Sequence, residues 1–517
     1  MKPITIFFYA IIIFFSSCQK NHNAFLITSY GAKGDGKTIN TKAIQKAIDA
    51  AARVRGTVLI PSGEFVCGTI YLKSNIVFEI CAGAKLIASP AITDYDTMTW
   101  GHHEDRTPWH LLVAKGQNNI HITGTGTIDG NGQSYWQKER KDTCSFFREI
   151  ESRPSPLVEI QQCTDILIDN ITITTSPGWT LHLYDCDKVK VDKISIKNNL
   201  LGPNSDAIDV TGSHDVIISN CFLSSGDDAI ALKTTEDSRS CERIVITNCI
   251  FETNCVALRV GFESRKNFRD ISMSNCVVKN ASRAIDLRTI EGGNIENVII
   301  SGITGQVNSG WAMDRVIEID ANILQTPYKI KIPEHPNYKK EKPVIKPGTI
   351  CNVIIENIMI RTSGRIIISA LPQASIRNLT FRNITLEYYL LEDPYELGLQ
   401  AEGSPAFANQ MPYVRSARAA FVAENVTGLT ISNFVIRWPV YPVPDECKLL
   451  ISSNRLYNPA FFNNNEEKIR SGEYKTVFKP FALRNVRQAI IEQNGLTASD
   501  GSKDIIEQSG SEIKIRN

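Results

Sequence analysis

The chain has 517 residues, with 56 Lys or Arg and 55 Asp or Glu, so its formal net charge at pH 7 is +1. This balance provides no broad basic surface for nucleic acid. Hydrophobic residues make up 42% of the sequence, which is typical of one large folded domain. We also expect a monomer that needs no cofactor and no metal.

The first 17 residues have the pattern of a signal peptide. Lys2 precedes an apolar run from Ile4 to Phe15, which is too short to span a membrane as a mature helix. The SSC sequence that follows resembles a bacterial lipobox, in which Cys18 would be lipidated after cleavage. A plain secretory peptide is the alternative. With residues 18–24 as a tether, we expect an exported lipoprotein, periplasmic or associated with the outer membrane, that contacts the membrane only through its lipid.

Residues 40–55 have the pattern of an amphipathic helix. Asn40 or Thr41 can cap its start, and Gly56 follows its end. Apolar residues recur there at helical spacing, at Ala43, Ile44, Ala47, Ile48 and Ala51. Short strand patterns follow from residue 57 onwards. This arrangement indicates a helix that covers the apolar end of a stack of strands.

A repeat of 26 to 28 residues organises most of the remaining chain. Short apolar runs that end in Asn recur at Asn170, Asn220, Asn248, Asn275, Asn357, Asn383 and Asn433, and the wider gaps are close to two repeats. A repeat of this length, built from short strands and polar turns, predicts an all-β, right-handed parallel β-helix. We expect the recurrent Asn residues to form an internal ladder at one turn.

Three of the 13 cysteines follow this repeat. Cys221, Cys249 and Cys276 each come directly after a ladder Asn. Their periodic placement favours a column of small, buried, free thiols over disulfide pairs.

Three aspartates occupy two similar settings about one repeat apart. Asp206 lies in NSDAIDV, and Asp227 with Asp228 lies in GDDAIALK, each followed by an alternating strand pattern. On a parallel β-helix, the three carboxylates would stack on one face. One carboxyl group could then protonate a leaving oxygen while another activates water, as in inverting glycosidases. Two ordinary Asx turns are the alternative, but they do not explain the shared register.

These motifs resemble those of glycoside hydrolase family 28, the polygalacturonases. The resemblance spans about residues 25–435, and it also includes YGAKGDGKT, LKSN, GTGTIDGNGQSYW and SPGWTLHLYDC. It implies a right-handed parallel β-helix that hydrolyses α-linked pectic polysaccharides or oligosaccharides with inversion. Carried over motif by motif, it implies Asp227 as general acid, Asp206 and Asp228 as water-activating bases, and Asn204 as a substrate contact.

Other side chains near the aspartates are candidate substrate contacts. Lys233, Arg259 and Arg288 lie 26 and 29 residues apart, so they could bind uronate carboxylates from successive rungs. Solvated surface cations are the alternative. Trp179 and His182 could form the floor of a sugar subsite, although a packed Trp and a structural His fit the sequence nearly as well.

Two positions depart from the family pattern. Val256 stands where polygalacturonases carry a His, and Asp286 with Arg288 stands where they carry Arg-Ile-Lys. A uronate at the scissile bond would then lose one cation and meet an extra carboxylate. We therefore expect weak activity on long homogalacturonan, and better turnover of short, exo-presented or rhamnose-containing pectic oligosaccharides.

Two insertions interrupt the repeat, near residues 306–348 and 387–424. Long insertions at one edge of a solenoid can close an open groove into a pocket, which favours exo action. The β-helix domain would span residues 25–480. A C-terminal extension, residues 481–517, has no assignment.

Two other functions compete with hydrolysis. A β-helix polysaccharide lyase would need calcium and a basic residue, with Arg259 or Arg288 as candidates, and would give products that absorb in the ultraviolet. A catalytically silent glycan-binding lipoprotein is the second alternative, because the expected His and Arg are missing. The three aspartates argue against it.

Overall fold

The structure is a computed structural model that describes residues 23–98, 106–139, 146–148, 150, 152–308, 315–323, 346–391, 412–441, 477–492 and 495–516. The signal peptide and Cys18 lie outside these residues, so lipidation and export stay predictions. Within the described ranges, no helix has the length and apolar character needed to cross a membrane.

The described residues wind into a right-handed parallel β-helix, as the repeat predicts. They contain 34 strands, which stack rung on rung into three parallel sheets. The first sheet contains β5 (Ile70–Tyr71), β8 (Leu112–Lys115), β11 (Val158–Gln161), β14 (Leu181–Tyr184), β17 (Ile208–Thr211), β20 (Ile230–Thr234), β23 (Val256–Ser264), β25 (Arg283–Thr289), β27 (Arg315–Ala321), β29 (Arg365–Ala370) and β33 (Ile506–Ser509).

The second and third sheets form the other two faces. The second contains β1 (Ala24–Leu26), β3 (Thr57–Ile60), β6 (Ile76–Ile80), β9 (Asn118–Gly124), β12 (Thr164–Asp169), β15 (Asp187–Asp192), β18 (His214–Ser219), β21 (Cys241–Thr247) and β34 (Ile513–Arg516). The third contains β2 (Asp35–Ile39), β4 (Gly63–Cys67), β7 (Ala84–Ala88), β10 (Thr127–Asp129), β13 (Thr172–Thr174), β16 (Ser195–Lys197), β19 (Phe222–Ser225) and β22 (Ile250–Thr253).

Later strands run through a corner of the coil without a break. These are β24 (Phe268–Asn280), β26 (Ile295–Val307), β28 (Thr349–Thr362), β30 (Ser375–Tyr388), β31 (Ala419–Arg437) and β32 (Lys479–Glu492). The helices are α1 (Thr41–Ala52) and α2 (Pro412–Ser416), with 3-10 turns at Ile27–Tyr30, Ile92–Asp94 and Gly132–Tyr135.

The inner side chains of the sheets form one continuous apolar core. In the first sheet, Ile208 stacks on Ile230 and then on Leu258, and all three are fully buried. Each such side chain stabilises the fold by roughly 1.5–3 kcal/mol. The outer side of this sheet is also buried, whereas β18 in the second sheet alternates between buried and exposed residues. The covered outer face of the first sheet carries the candidate site.

Helix α1 covers the first rung, as predicted. Its buried face consists of Ile44, Ala47, Ile48 and Ala51, which join the core. Asn40 occupies the N-cap position, but its side-chain amide bonds to the backbone oxygens of Lys33 and Thr38 instead of capping the helix. These hydrogen bonds fix the turn that precedes the helix, and the helix begins directly after it, at Thr41.

The Asn ladder exists, but the prediction that it is internal is wrong. Asn220 and Asn248 are exposed at the corner between the second and third sheets, with φ of 58° and 56°. The Asn248 amide donates to Asn220 Oδ1 at 3.4 Å, and Asn383 donates to Asn357 at 2.9 Å. The corner needs left-handed backbone, which Asn tolerates better than most residues. The corner itself faces solvent.

The cysteine column agrees with the sequence analysis. Cys221, Cys249 and Cys276 are buried on successive rungs and are free, as are the other cysteines among the described residues. Each thiol bonds to a backbone oxygen two residues earlier, with Cys249 Sγ at 3.2 Å from the Thr247 oxygen.

Both predicted insertions are shorter than the sequence indicated. Strand β27 lies inside 306–348 and pairs with β25 and β29, and the start of β31 lies inside 387–424. In β27 the charged residues Glu318 and Asp320 occupy buried outer positions, and the segments that flank both strands lengthen the repeat, so local patterning does not reveal these strands. The boundary near residue 480 falls within β32, and β33 and β34 pair with that strand, so the unassigned extension continues the coil.

The corner geometry leads to a stability prediction. Replacing Asn248 with Val should lower the free energy of unfolding by about 1–2 kcal/mol, because a β-branched residue is strained in the left-handed region. Asn248→Gly, the matched control, should cost much less. The urea midpoints of the two variants provide the comparison. Equal losses would show that the amide ladder, and not the backbone, stabilises the corner.

Candidate active site

Asp206 and Asp228 occupy the same position on adjacent rungs of the first sheet. Ile208 of β17 pairs with Ile230 of β20, and the Ala207 N–H donates to the Asp228 backbone oxygen at 2.9 Å. Neighbouring strands lie about 4.8 Å apart, so the two carboxylates project from one face, one above the other. The structure therefore places them together, as the spacing of the two motifs predicts.

Asp227 completes the group. One of its carboxylate oxygens lies within 4.8 Å of an oxygen of Asp228. Asp227 is partly exposed, whereas Asp206 and Asp228 are buried. It is thus the carboxyl group of the three that solvent or a substrate reaches most directly.

The three carboxylates have different proton affinities. Burial and the charge of Asp228 raise the pKa of Asp227 to about 6. Burial alone would raise the pKa of Asp228, but the Arg259 guanidinium outweighs it and holds that pKa below its ordinary value. Burial, Asp209 and Asp227 raise the pKa of Asp206 well above its ordinary value. The site thus combines a carboxylic acid with a permanent carboxylate.

Arg259 fixes the ionised partner. Its Nε and Nη2 both contact the Asp228 carboxylate, with Nη2 at 3.2 Å from Oδ1, and its Nη1 lies 2.7 Å from Asp286 Oδ2. The side chain is 8% exposed. A bidentate arginine of this kind orients a carboxylate as well as charging it.

Arg288 is also paired inside the protein. Its Nη2 lies 2.6 Å from Glu318 and 3.3 Å from Asp286, and the residue is 2% exposed. The prediction that Arg259 and Arg288 bind substrate carboxylates is therefore not supported, because protein carboxylates hold both guanidinium groups. Their burial also contradicts the alternative of solvated surface cations.

The two departures from the family pattern have different consequences. Val256 lies one rung beyond Asp228, and its N–H donates to Asp228 Oδ1 at 3.2 Å. Asp286 is fully buried and contacts Arg259, Arg288 and, at 3.9 Å, Arg283. The expectation that Asp286 meets the substrate as an extra negative charge is wrong, because three arginines surround it.

His182 and Trp179 are structural, which corrects their prediction as a sugar subsite. His182 Nδ1 lies 2.8 Å from Glu159 and Nε2 lies 2.9 Å from Thr211 Oγ1, so neither ring nitrogen faces a ligand. Trp179 is buried, with its ring centre 3.9 Å from Lys233 Nζ. This corresponds to the packed Trp and structural His that the sequence left open.

Lys233 and Asn204 remain close to the carboxylates. Lys233 Nζ lies 3.7 Å from Asp206, 3.3 Å from Asp209 and 3.5 Å from Glu263. Asn204 precedes Asp206 by two residues, has φ of 45° and is partly exposed, so it keeps its candidate role as a substrate contact.

Asp209 and Glu263 also contact Lys233, although no motif in the sequence singled them out. The alternating pattern after Asp206 contains the signal for Asp209, because a residue one position along a strand from Ile208 points to the opposite face. Glu263 carries no comparable signal. It reaches Lys233 through an irregularity in β23, which local patterning does not reveal.

Within the described part of the chain, one group has its potential metal ligands within 4.8 Å of one another: Asp227, Asp228 and Cys255. Burial raises the pKa of the Cys255 thiol well above its ordinary value, and Arg259 already pairs with Asp228. A protonated thiol and a paired carboxylate make a poor ligand set for a divalent metal. The chemistry proposed below needs none.

The comparisons with known proteins agree with this geometry. A family model described as "Glycosyl hydrolases family 28" matches residues 51–389. A probable polygalacturonase of Vitis vinifera is 27% identical over 310 residues, which cover 56% of this chain and 61% of that protein. An exo-poly-alpha-D-galacturonosidase of Dickeya chrysanthemi is 28% identical over 247 residues, which cover 40% of this chain and 41% of that protein.

The match thus spans less than two thirds of the length of these curated relatives. Among solved structures, a hyperthermoactive exopolygalacturonase from Thermotoga maritima gives a TM-score of 0.61 at 19% identity. The alignment covers 80% of this chain and 91% of that one, which supports a shared fold.

The buried histidine leads to a prediction about stability and pH. Burial lowers the pKa of His182 to about 4 from its ordinary 6.5, although Glu159 opposes the shift. Between these values the unfolded chain binds a proton that folded His182 does not, so His182 contributes a fall in the free energy of unfolding on acidification. The carboxyl groups whose pKa the fold raises, Asp206, Asp209 and Asp227, contribute in the opposite direction. The slope is up to about 1.4 kcal/mol per pH unit for each proton.

Urea unfolding at several pH values between 7 and 4 measures this slope. His182→Gln should reduce the slope by about one proton. Burial lowers the pKa of His110 to about 4 as well, and both this histidine and the carboxyl groups with raised pKa stay in place, so the remaining slope is the sum of their opposed contributions. A slope that His182→Gln leaves unchanged would contradict the assignment.

Proposed function

The chain belongs to glycosyl hydrolase family 28, and on this premise we propose that it is an exo-acting hydrolase that cleaves α-linked pectic glycans with inversion. The observation that carries the proposal is the pairing of Asp227, with a pKa of about 6, and Asp228, which stays ionised. An inverting hydrolase needs one carboxylic acid, which protonates the leaving oxygen, and one carboxylate, which activates water. The two neighbouring residues supply both forms.

Each carboxyl group has one role in the proposed reaction. Asp227 donates its proton to the glycosidic oxygen as the bond from that oxygen to the anomeric carbon breaks. A water oxygen attacks the anomeric carbon on the face away from the leaving oxygen, and its proton passes to Asp206, which acts as the base together with Asp228. Arg259 holds Asp228 in orientation during the step. Solvent then returns a proton to Asp227 and removes one from the base, which completes the cycle.

The charges of the site bear on the sugar. Arg259 and Arg288 balance Asp228, Asp286 and Glu318, so their charge is already compensated within the protein. A long run of uronates would bring further negative charge towards Asp206 and Asp227. Repulsion between these charges would weaken the binding of a long polygalacturonate chain. We propose short, exo-presented galacturonate or rhamnose-containing oligosaccharides as substrates. The name of the exo-acting relative from Dickeya chrysanthemi supports the exo mode.

Neither of the two arginines named for the lyase alternative can act as its base. Burial would lower the pKa of Arg259, but Asp228 and Asp286 raise it well above its ordinary value, so the guanidinium keeps its proton. The carboxylates around Arg288 act in the same direction. Neither side chain can abstract a proton from a sugar, and family membership points to hydrolysis.

The acid role predicts a kinetic phenotype. Asp227→Asn should lower turnover by about 10²-fold or more, because the amide cannot donate the proton that the leaving oxygen needs. The matched control is Asp215→Asn, which changes an exposed aspartate paired with Arg243 on the second sheet. Initial rates on the best oligosaccharide, together with unchanged circular dichroism, provide the measurement. Wild-type turnover by Asp227→Asn would overturn the assignment.

The specificity proposal is tested by one screen with product lengths as readout. Homogalacturonan, rhamnogalacturonan and oligosaccharides of both are supplied at equal concentration. We expect single units or dimers released from one chain end, faster turnover of short substrates, and little early loss of viscosity with polygalacturonate. Rapid mid-chain cleavage of polygalacturonate would contradict both the exo mode and the charge argument.

A further inference from the structure

Beside the candidate catalytic group lies a buried cluster of one lysine and three carboxylates, here called the lysine cluster: Lys233, Asp206, Asp209 and Glu263. The ammonium lies 3.3 to 3.7 Å from an oxygen of each carboxylate. The ring of Trp179 closes another side, 3.9 Å from Nζ. An ammonium has three hydrogen-bond donors. The three carboxylates and the indole ring therefore restrain its position together.

The backbone is built to bring Glu263 into this cluster. Leu232 of β20 pairs with Val260 of β23, but Thr234 pairs with Ser264, so β23 contains two extra residues opposite Lys233. Gly261, with φ of 98°, opens this bulge, and a Cβ there would lie 1.8 Å from the Arg288 oxygen. A bulge that requires glycine re-aims a side chain, here the Glu263 carboxylate.

The charge balance of the cluster is unfavourable without the lysine. Its four side chains are all at least nine-tenths buried, so water screens them weakly. Burial would lower the pKa of Lys233, but Glu263, Asp209 and Asp206 raise it well above its ordinary value. Burial raises the pKa of Asp209 to about 7. The Lys233 ammonium is therefore one cation shared by three carboxylates.

We propose that Lys233 is a positioning residue: held by Asp209 and Glu263, its ammonium fixes the Asp206 carboxylate and supplies the positive charge against which that carboxylate ionises. The inference rests on the proposed hydrolase function, in which Asp206 accepts a proton from water. It also replaces the earlier expectation that Lys233 binds a substrate carboxylate. Glu263 acts through Lys233, because its negative charge offsets part of the positive charge that the ammonium presents to Asp206.

Other charged groups surround Lys233 and Asp206 from the packed strands. They are Asp227 and Asp228 before β20, Arg259 on β23, which pairs with Asp228, and His182 on β14. The substitutions chosen below leave all of them in place. They therefore change the charge of the lysine cluster alone.

Two substitutions should move the pH profile in opposite directions. Lys233→Met keeps the apolar stem but removes the cation, so Asp206 ionises less readily and the acid limb of kcat should move up by about one pH unit or more. Glu263→Gln removes a competing negative charge, so the Asp206 and Asp209 pair titrates lower and the limb should move down. KM should change less than kcat in both variants.

The matched control is Lys279→Met, an exposed lysine that pairs with Glu252 at 2.8 Å on the outside of the coil. Its profile should equal that of the wild type. Two results would overturn the inference: a raised KM with an unshifted kcat profile for Lys233→Met, which indicates direct substrate binding, or shifts of the same sign for Lys233→Met and Glu263→Gln. Glu263→Gln keeps the test decisive if Lys233→Met does not fold.

A second readout needs no substrate. Infrared spectra of the 13C-aspartate-labelled protein count protonated carboxyl groups at fixed pH. Lys233→Met should increase the carboxylic acid band near neutral pH, and Glu263→Gln should decrease it. If these changes occur in a protein that hydrolyses no pectic glycan, the hydrolase proposal fails and the charge role of Lys233 stands. If hydrolysis is confirmed and both variants leave the band unchanged, the role of Lys233 fails.

Discussion

The buried ion pair between Arg259 and Asp228 is the interaction on which the site depends. Removing a carboxylate from water is costly unless a partner in good geometry compensates it. Arg259 compensates Asp228 through two nitrogens and continues the pairing to Asp286 on the next rung. Because Asp228 is thereby held ionised, Asp227 beside it keeps a proton to a higher pH. One arginine thus separates the proton affinities of two adjacent carboxyl groups.

The same principle extends along the outer face of the first sheet. Glu159 pairs with Arg106 at one end, and Glu318 pairs with Arg283 and Arg288 at the other. From β11 to β27, every rung places at least one ionisable residue on the covered outer face of this sheet. The arrangement explains why so few cations of this face are available to a substrate. Because the Lys233 ammonium contacts three carboxylates, its removal would change the charge of this face more than the loss of a cation paired with one carboxylate.

The fold could be predicted from the sequence because the repeat is local. Apolar alternation and recurrent turn Asn residues fix the coil, the rung spacing and the register that stacks Asp206 on Asp228. Burial and ion-pair partners are not local, so the sequence does not reveal that protein carboxylates hold Arg259 and Arg288, and it leaves the role of His182 open. An arginine one rung from a catalytic carboxylate has the same sequence signature whether it faces a sugar or an aspartate. The contact between Glu263 and Lys233 could not be predicted either, because it depends on the bulge in β23, which has no local sequence pattern.

The central claim is that Asp227 protonates the leaving oxygen while a neighbouring carboxylate activates water for a single displacement, and the anomeric configuration of the first product tests it most directly. Proton NMR recorded during the first minutes of hydrolysis of an α-linked oligosaccharide, before mutarotation, identifies that product. The account predicts the β-anomer as the initial product, because a single displacement by water inverts the centre. The α-anomer would indicate a covalent intermediate and would contradict the account.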